Sequence, residues 1–390
     1  MFDQQRTGRA PYALRSDDAP NELWRTWLPS FPPRGAESSP AFDREGNLYF
    51  GSHDGCFYSL TPEGRVRWMF KTDAKIYSSP QLLDDSVAFC GGDGYLYLFD
   101  FHGQMRWNYD LGAGAKGKGT SGKIKKFVKE LPVTLDWKRK YLVTTKSWAS
   151  PCLHPNGFLV ATGYGRGIHA VNLDGTRRWL HDFGQGQYSL AGVCLDSNGN
   201  IYGGPLEGKV MSLDASGKVN FELATPKRMR NWAAPSFDEA RGRAYYPLSD
   251  WEKSGLVVAV SARGERLWST DIPGGIRGSV VIPAEGPHVI TCSLNGRLLW
   301  LNADTGKVER EVRLSKDSRA LWTTPSIDPH GRLLITVKDT YDSGRLVAVN
   351  LAGEQLWSVD VGKALNTPVI DQHGRIYVGS WDGTYRCLQS

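Results

Sequence analysis

Three observations predict an all-β protein built as a closed ring of eight four-stranded blades, a β-propeller. A pattern of short alternating strands and tight turns recurs eight times along 390 residues. The recurrences are forty-odd residues apart, the length of one propeller blade. The eighth copy lacks its last strand, and a matching strand stands near the start of the chain.

The first copy, "SPAFDREGNLYFGSHDGCFYSL" from Ser39, returns as "TPVIDQHGRIYVGSWDGTYRCL" from Thr367. Marker positions Pro40, Pro80, Pro151, Ala191, Pro235, Val280, Pro325 and Pro368 are 40, 71, 40, 44, 45, 45 and 43 residues apart. Each copy reads as an innermost strand, a D-x-x-G turn, a second strand, a D-G type hairpin, a third strand, and a Gly-led turn into a fourth. Asp at the first and Gly at the fourth position suit a type I turn, and D-G suits a two-residue hairpin. Six fourth strands carry Gly-x-x-x-Trp or its phenylalanine equivalent: Trp68, Trp107, Trp179, Phe221, Trp268 and Trp357. Arg310 takes this place in copy six. "NELWRTWL" from Asn21 fits the slot missing from copy eight, with Trp24 at the tryptophan position. Residues 20–29 are therefore expected to close blade 8 and remove its exposed sheet edge.

The composition is that of a soluble globular chain, 40% apolar and 23% charged. The N-terminal stretch is polar, and the longest apolar runs, such as "LVVAV" at Leu256, are too short to span a bilayer. Six scattered cysteines without C-x-x-C give neither a disulfide framework nor a zinc site. A cytoplasmic monomer is the expectation, with export the alternative should a leader precede this sequence.

The repeat resembles the pyrroloquinoline-quinone-type (PQQ-like) propeller repeat. "DQQRTGR", Asp3 to Arg9, resembles the opening of many such chains. The resemblance implies the eight-bladed fold and a wide range of functions, from quinoprotein dehydrogenases to the outer-membrane β-barrel assembly lipoprotein and sensor domains. Members that oxidise alcohols hold an adjacent cysteine pair beside the quinone and a calcium on acid and amide side chains. Neither is found here, so no cofactor, PQQ included, is expected. The lipoprotein comparison also departs, since the first cysteine is Cys56.

Loops joining strand four to the next strand one, and strand two to strand three, share one face of the ring, called the top here. Three residues before the marker stand Glu37, Tyr77, Trp148, Tyr188, Trp232, Arg277, Trp322 and Leu365. Just before the marker the column is mostly small: Ser39, Ser79, Ser150, Leu190, Ala234, Ser279, Thr324 and Thr367. Two readings stand. The aromatics wedge between blades, or they rim a funnel mouth that stacks a flat or apolar group while Arg277 and Glu37 fix polar ends.

Two second-to-third-strand loops, Ser249 to Gly255 and Lys338 to Gly344, exceed the D-G length and bring Trp251 and Tyr341 to the same face. Trp381 and His53 join them from short loops. Asp250, Asp339 and Asp342 are possible acids or bases, although Asp in a turn is commonly a turn former. His154, His330 and His373 sit in bottom-face turns without metal-ligand spacing, so no metal site is expected.

The long interval holds an insertion, Leu111 to Ser147, with ten basic residues against two acids. Its net charge is +8 in a chain of +6. Lys116, Lys118, Lys123, Lys125, Lys126, Lys138 and Arg139 are candidate anion contacts. Ile124, Phe127, Val128 and Leu131 fall on one face of a short helix ended by Pro132. "GKGTSGK" from Gly117 mimics a phosphate loop but is followed by Ile124, not Ser or Thr.

The reading is a ligand- or protein-binding scaffold that works through the top face. A small molecule or a peptide is the candidate occupant, with an anionic partner at the insertion. The alternatives are an enzyme holding substrate in the funnel under the insertion, in specialised metabolite biosynthesis for example, and anionic-surface or nucleic-acid binding by the insertion.

Overall fold

The computed structural model describes residues 5–29, 35–112, 115–116, 148–163, 167–251, 253–317, 320–340, 342–364 and 366–389. Their regular structure is all β, with eight sheets in a ring. Blade 1 shows the common plan: Ala41–Phe42, Leu48–Gly51, Cys56–Leu60 and Val66–Lys71, antiparallel and in chain order from the axis outward. Blade 2 adds a fifth strand, Ala115–Lys116, outside its fourth. In blade 6 the innermost strand shrinks to a single bridge between Val281 and Ile290. No described helix is long and apolar enough to cross a membrane.

Blade 8 has composite origin. Val369–Ile370, Arg375–Gly379 and Thr384–Gln389 come from the C-terminal end, and Asn21–Trp27 pairs antiparallel with Thr384–Gln389. Trp24 lies opposite Cys387, with a β-bulge between Glu22 and Trp24. The same irregularity marks all seven other fourth strands, beside Trp68, Trp107, Trp179, Phe221, Trp268, Arg310 and Trp357. A bulge bends and twists the outer strand, here at the point where its large side chain must turn toward the neighbouring blade.

That side chain fastens blade to blade. The indole N–H groups of Trp24, Trp68, Trp107, Trp179 and Trp268 donate to Pro62, Phe101, Leu173, Ala215 and Ala303 carbonyls at 2.8–3.0 Å. Each acceptor lies in the turn between the third and fourth strands of the next blade. Arg310 does the same with its guanidinium, donating to Leu351 O at 2.7 Å. The turn glycines explain themselves here. Gly64 and Gly217 have φ of +81° and +85°, and an added Cβ would lie 2.7–2.8 Å from the Trp24 and Trp179 rings. Only glycine offers both the left-handed backbone and the space.

Eight apolar clusters fill the eight blade interfaces. Blades 1 and 2 meet through stacked Phe57 and Phe89, 3.9 Å between centroids, and blades 8 and 1 through Phe50 and Tyr385 at 4.0 Å.

The N-terminal segment has a second task. Gln5 to Arg15 runs as a strap along the innermost strands. Phe237 N donates to Gln5 O, Ile282 N to Thr7 O, Ile327 N to Gly8 O and Ala10 N to Ile327 O, all at 2.7–2.9 Å. Arg15 Nε then reaches His373 O in a bottom turn. Arg6, buried and with φ of +53°, crosses the axis and donates to Val193 O and to Ser150 O on blades 4 and 3. The strap thus ties five of the eight innermost strands and fills the channel from below.

Candidate functional site at the top of the ring

The residue just before each marker does not simply line an open funnel. Ser39 N donates to Ser79 Oγ, Ser79 N to Ser150 Oγ and Ser279 N to Thr324 Oγ1, at 2.8–3.1 Å. Ser39 Oγ donates to Thr367 O at 3.1 Å. The small column is a belt of hydroxyl-to-backbone bonds between neighbouring innermost strands. Leu190 and Ala234 interrupt it at blades 4 and 5, since neither carries a hydroxyl.

Two residues further up, side chains turn toward one another across the mouth. Trp381 and His53 have centroids 5.5 Å apart, His53 and Tyr77 4.4 Å, Tyr77 and Trp148 5.3 Å. Trp148 of blade 3 stacks on Trp232 of blade 5 at 6.1 Å, passing over blade 4. Rings from non-adjacent blades touch only if they converge on the axis. Trp232 meets Trp251 edge-on at 5.0 Å. The Arg277 guanidinium closes the series, with Cζ 4.0 Å from the Trp232 centroid, 4.8 Å from Trp251 and 5.3 Å from Trp322. The rings form a continuous arc from blade 8 round to blade 7. Most are half-buried, while Trp251 is 48% exposed.

Cations accompany the arc along its length. Lys75 Nζ lies 6.0 Å from the Tyr77 centroid, and Lys363 Nζ 4.6 Å from Trp381. Burial holds the Lys363 ammonium below the ordinary lysine pKa, opposed by the charges of Asp342 and Glu37. Glu37 Oε2 stands 3.3 Å from His53 Nε2. Tyr188 shares the column, and its carbonyl accepts from Leu206 N at 2.6 Å.

The indole nitrogens of Trp148, Trp232 and Trp381 are buried and meet no acceptor among the described residues. Indole N–H is a donor only. The top face therefore holds buried donors in want of acceptors.

The long loop of blade 5 is mostly strand: Arg243–Asp250 and Ser254–Ser261 extend the hairpin upward. Trp251 sits at its tip with φ of +50°, and Ser249 Oγ donates to Trp251 O at 2.8 Å. Asp339 is engaged by Arg345 through two bonds of 2.6 and 2.8 Å, and Asp382 by Arg386 at 2.7 Å. Among the described residues no group of three His, Cys, Asp or Glu side chains stands together to hold a metal ion. Two clefts of about 450 Å³ lie elsewhere, one below the junction of blades 2 and 3 and one at the outer top of blade 4.

Glu37, Tyr77, Trp148, Trp232, Arg277, Trp322, Trp251 and Trp381 are thus brought together by contact. Tyr341 and Leu365 lie outside the described residues, as do Lys118, Lys123, Lys125, Lys126, Lys138, Arg139 and the helix read at Ile124–Leu131. Lys116 is placed by its backbone alone, opposite Tyr109. Lys75 and Lys363 were not among the expected site residues. Both stand five positions before a marker proline, a column that would have revealed them.

A family model described as outer membrane protein assembly factor BamB matches residues 14–129 and 253–327. The beta-alanine-activating enzyme of Mus musculus is 35% identical over 75 residues, 17% of this chain and 7% of that protein, so the chain spans a small fraction of that relative. Among solved structures, BamB from Moraxella catarrhalis superposes with a TM-score of 0.68 at 15% identity, covering 96% of this chain and 98% of that one. The computationally designed Ika8 protein gives 0.66 at 14%, covering 95% and 99%. A europium-containing methanol dehydrogenase gives 0.58 at 14%, covering 77% and 72%. At these identities the likeness is one of fold.

Proposed function

The chain is a β-propeller of the PQQ-like repeat family, and we propose that it is a protein-binding scaffold whose aromatic arc docks a segment of a partner protein. The observation that carries this reading is the contrast between the ends of the channel. The strap fills the lower end with backbone hydrogen bonds. The upper end gathers tryptophans, a tyrosine and an arginine, the residue types that dominate binding energy at protein interfaces. The family model matched by the chain is described as an assembly factor, which agrees with a scaffold.

An acid–base site is less well supported. Asp339 and Asp382 already hold arginine partners. A quinone with its calcium does not fit these residues either. The described cysteines are buried singly within blades, and among the described residues no cluster of acidic side chains stands together at the mouth.

The test uses a random peptide library displayed on phage and panned on the immobilised protein. Trp322→Ala should abolish enrichment of the peptides selected by the parent, while lowering stability by only about 1 kcal/mol, as for a half-exposed side chain. Enrichment that survives Trp322→Ala and Trp232→Ala alike would overturn the reading.

A further inference from the structure

We infer that the cleft below the junction of blades 2 and 3 docks a tyrosine side chain, presented by a basic segment of a partner protein. The site lies on the face opposite the arc and stands apart from the reading above.

The cleft exists because blade 2 leaves out what its sisters keep. In blade 1 the second-strand residue paired with Ala41 is Tyr49. Its counterparts are Tyr202, Tyr245 and Tyr377 in blades 4, 5 and 8. Blades 3, 6 and 7 carry Val160, Ile290 and Leu334 there. Blade 2 carries Ala88, paired with Gln81. Its first turn is also short. Residues 83–86 lie between paired Leu82 and Val87, against 43–47 between Phe42 and Leu48 in blade 1. Leu83 takes the place of Asp43 at the head of that turn.

Blade 1 shows what is left out. Tyr49 packs on Phe101 of blade 2, with centroids 5.4 Å apart. Its hydroxyl donates to Asp43 Oδ2 at 2.8 Å and accepts from Arg67 Nη1 at 3.0 Å. The counterparts of these three neighbours, Leu173, Leu83 and Arg106, line the cleft. Leu98, at the place of Ser59, takes up part of the space, and about 450 Å³ remains. A Cβ built on Gly157 at its edge would meet nothing within 4 Å.

The chemistry matches a phenol, an apolar ring with a polar tip. Leucines form the floor, and Asp84, Asp85 and Arg106 stand around it. Arg106 donates once to each Asp85 oxygen, at 2.9 and 2.8 Å. A carboxylate accepts at about four sites, so each oxygen can take a hydroxyl as well. Asp43 Oδ2 does this in blade 1, accepting from both Asn47 and Tyr49. Two carboxylates against one guanidinium leave the surroundings acidic, which favours a basic residue beside the tyrosine. The wall is open, with Leu173 41% exposed. Sites for free small molecules bury about 70–90% of the ligand; this one suits a side chain tethered to a backbone.

The probe is the peptide acetyl-Gly-Lys-Tyr-Lys-Gly-amide, titrated onto the full chain by saturation-transfer NMR. The same peptide with alanine for tyrosine, and p-cresol, are run beside it. The tyrosine peptide should bind, the alanine peptide should not, and p-cresol should bind more weakly by about tenfold. Ala88→Tyr/Leu98→Ser rebuilds the pairing of Tyr49 with Ser59. It should melt no lower than the parent and weaken the tyrosine peptide about tenfold or more, the scale of losing a buried aromatic anchor. Leu173→Gln alters the exposed wall alone, keeps the carbonyl that serves Trp107, and should weaken the peptide about threefold. Unchanged affinity in either folded variant would overturn the inference, and so would equal binding of the tyrosine and alanine peptides. If p-cresol bound as tightly as the peptide, the occupant would be a free phenol and the partner segment would be ruled out.

Discussion

Two sets of tryptophans share this ring and differ in one respect. Those of the fourth strands sit at a β-bulge, and Trp24, Trp68, Trp107, Trp179 and Trp268 each hand their N–H to a carbonyl of the next blade. Those of the mouth, Trp148, Trp232 and Trp381, touch aromatic rings and cations but hand their N–H to nothing described. A donor that is satisfied in five of the six fourth-strand tryptophans belongs to the architecture. A buried donor left unsatisfied costs about 1–3 kcal/mol; such donors also occur inside the blades, at Trp300 for example, but at the mouth three of them gather beside one another.

The fourth-strand set contains its own exception. Trp357 of blade 7 also lacks an acceptor. Blade 8 takes its fourth strand from Asn21–Trp27, and the residue at the place of the acceptors Pro62, Phe101 and Leu351 is Ser390, which lies outside the described residues.

The largest effect that would sharpen the contrast comes from removing residues 1–29. This takes away the closing strand, Trp24 and the axial strap together. The protein is expected to aggregate through its exposed edge and to lose cooperative unfolding. A monomer with the parental melting temperature would show that the ring does not depend on its composite blade. A smaller effect separates members of the structural set. Trp107→Phe strands Leu173 O and should cost about 1 kcal/mol in denaturant unfolding. Trp357→Phe removes a donor that meets no acceptor among the described residues and should cost less than half of that. Equal losses would mean that the indole bonds do not distinguish these positions.

Much of the architecture was legible because it repeats. The marker spacing, the turn glycines and the placing of Trp24 opposite the third strand of blade 8 all follow from copies written in side chains. The strap was not legible, because Gln5 to Ala10 binds mainly through backbone amides and carbonyls, which leave no pattern in sequence. "DQQRTGR" registered only as a resemblance, and the axial placing of Arg6 appears once five blades surround it. The rim column was legible as residue types but not as geometry. Position along a strand does not say whether a ring leans between blades or toward the axis, and the contact of Trp148 with Trp232 over blade 4 could not be counted from spacing. The column of Ser39, Ser79 and Ser150 was legible as small side chains, but not as hydroxyls that stitch one innermost strand to the next.

The central claim is that the mouth tryptophans are kept for binding and the fourth-strand tryptophans for stability. Thermal unfolding of two double variants tests it most directly: Trp148→Phe/Trp232→Phe against Trp107→Phe/Trp179→Phe. The fourth-strand pair should melt a few degrees lower, since two bonds worth about 1 kcal/mol each are lost and each kcal/mol moves the midpoint of a large domain by about 2–4 °C or less. The mouth pair should melt at or slightly above the parental midpoint, because two unsatisfied donors leave. A mouth pair that melts as low as the fourth-strand pair would contradict the account.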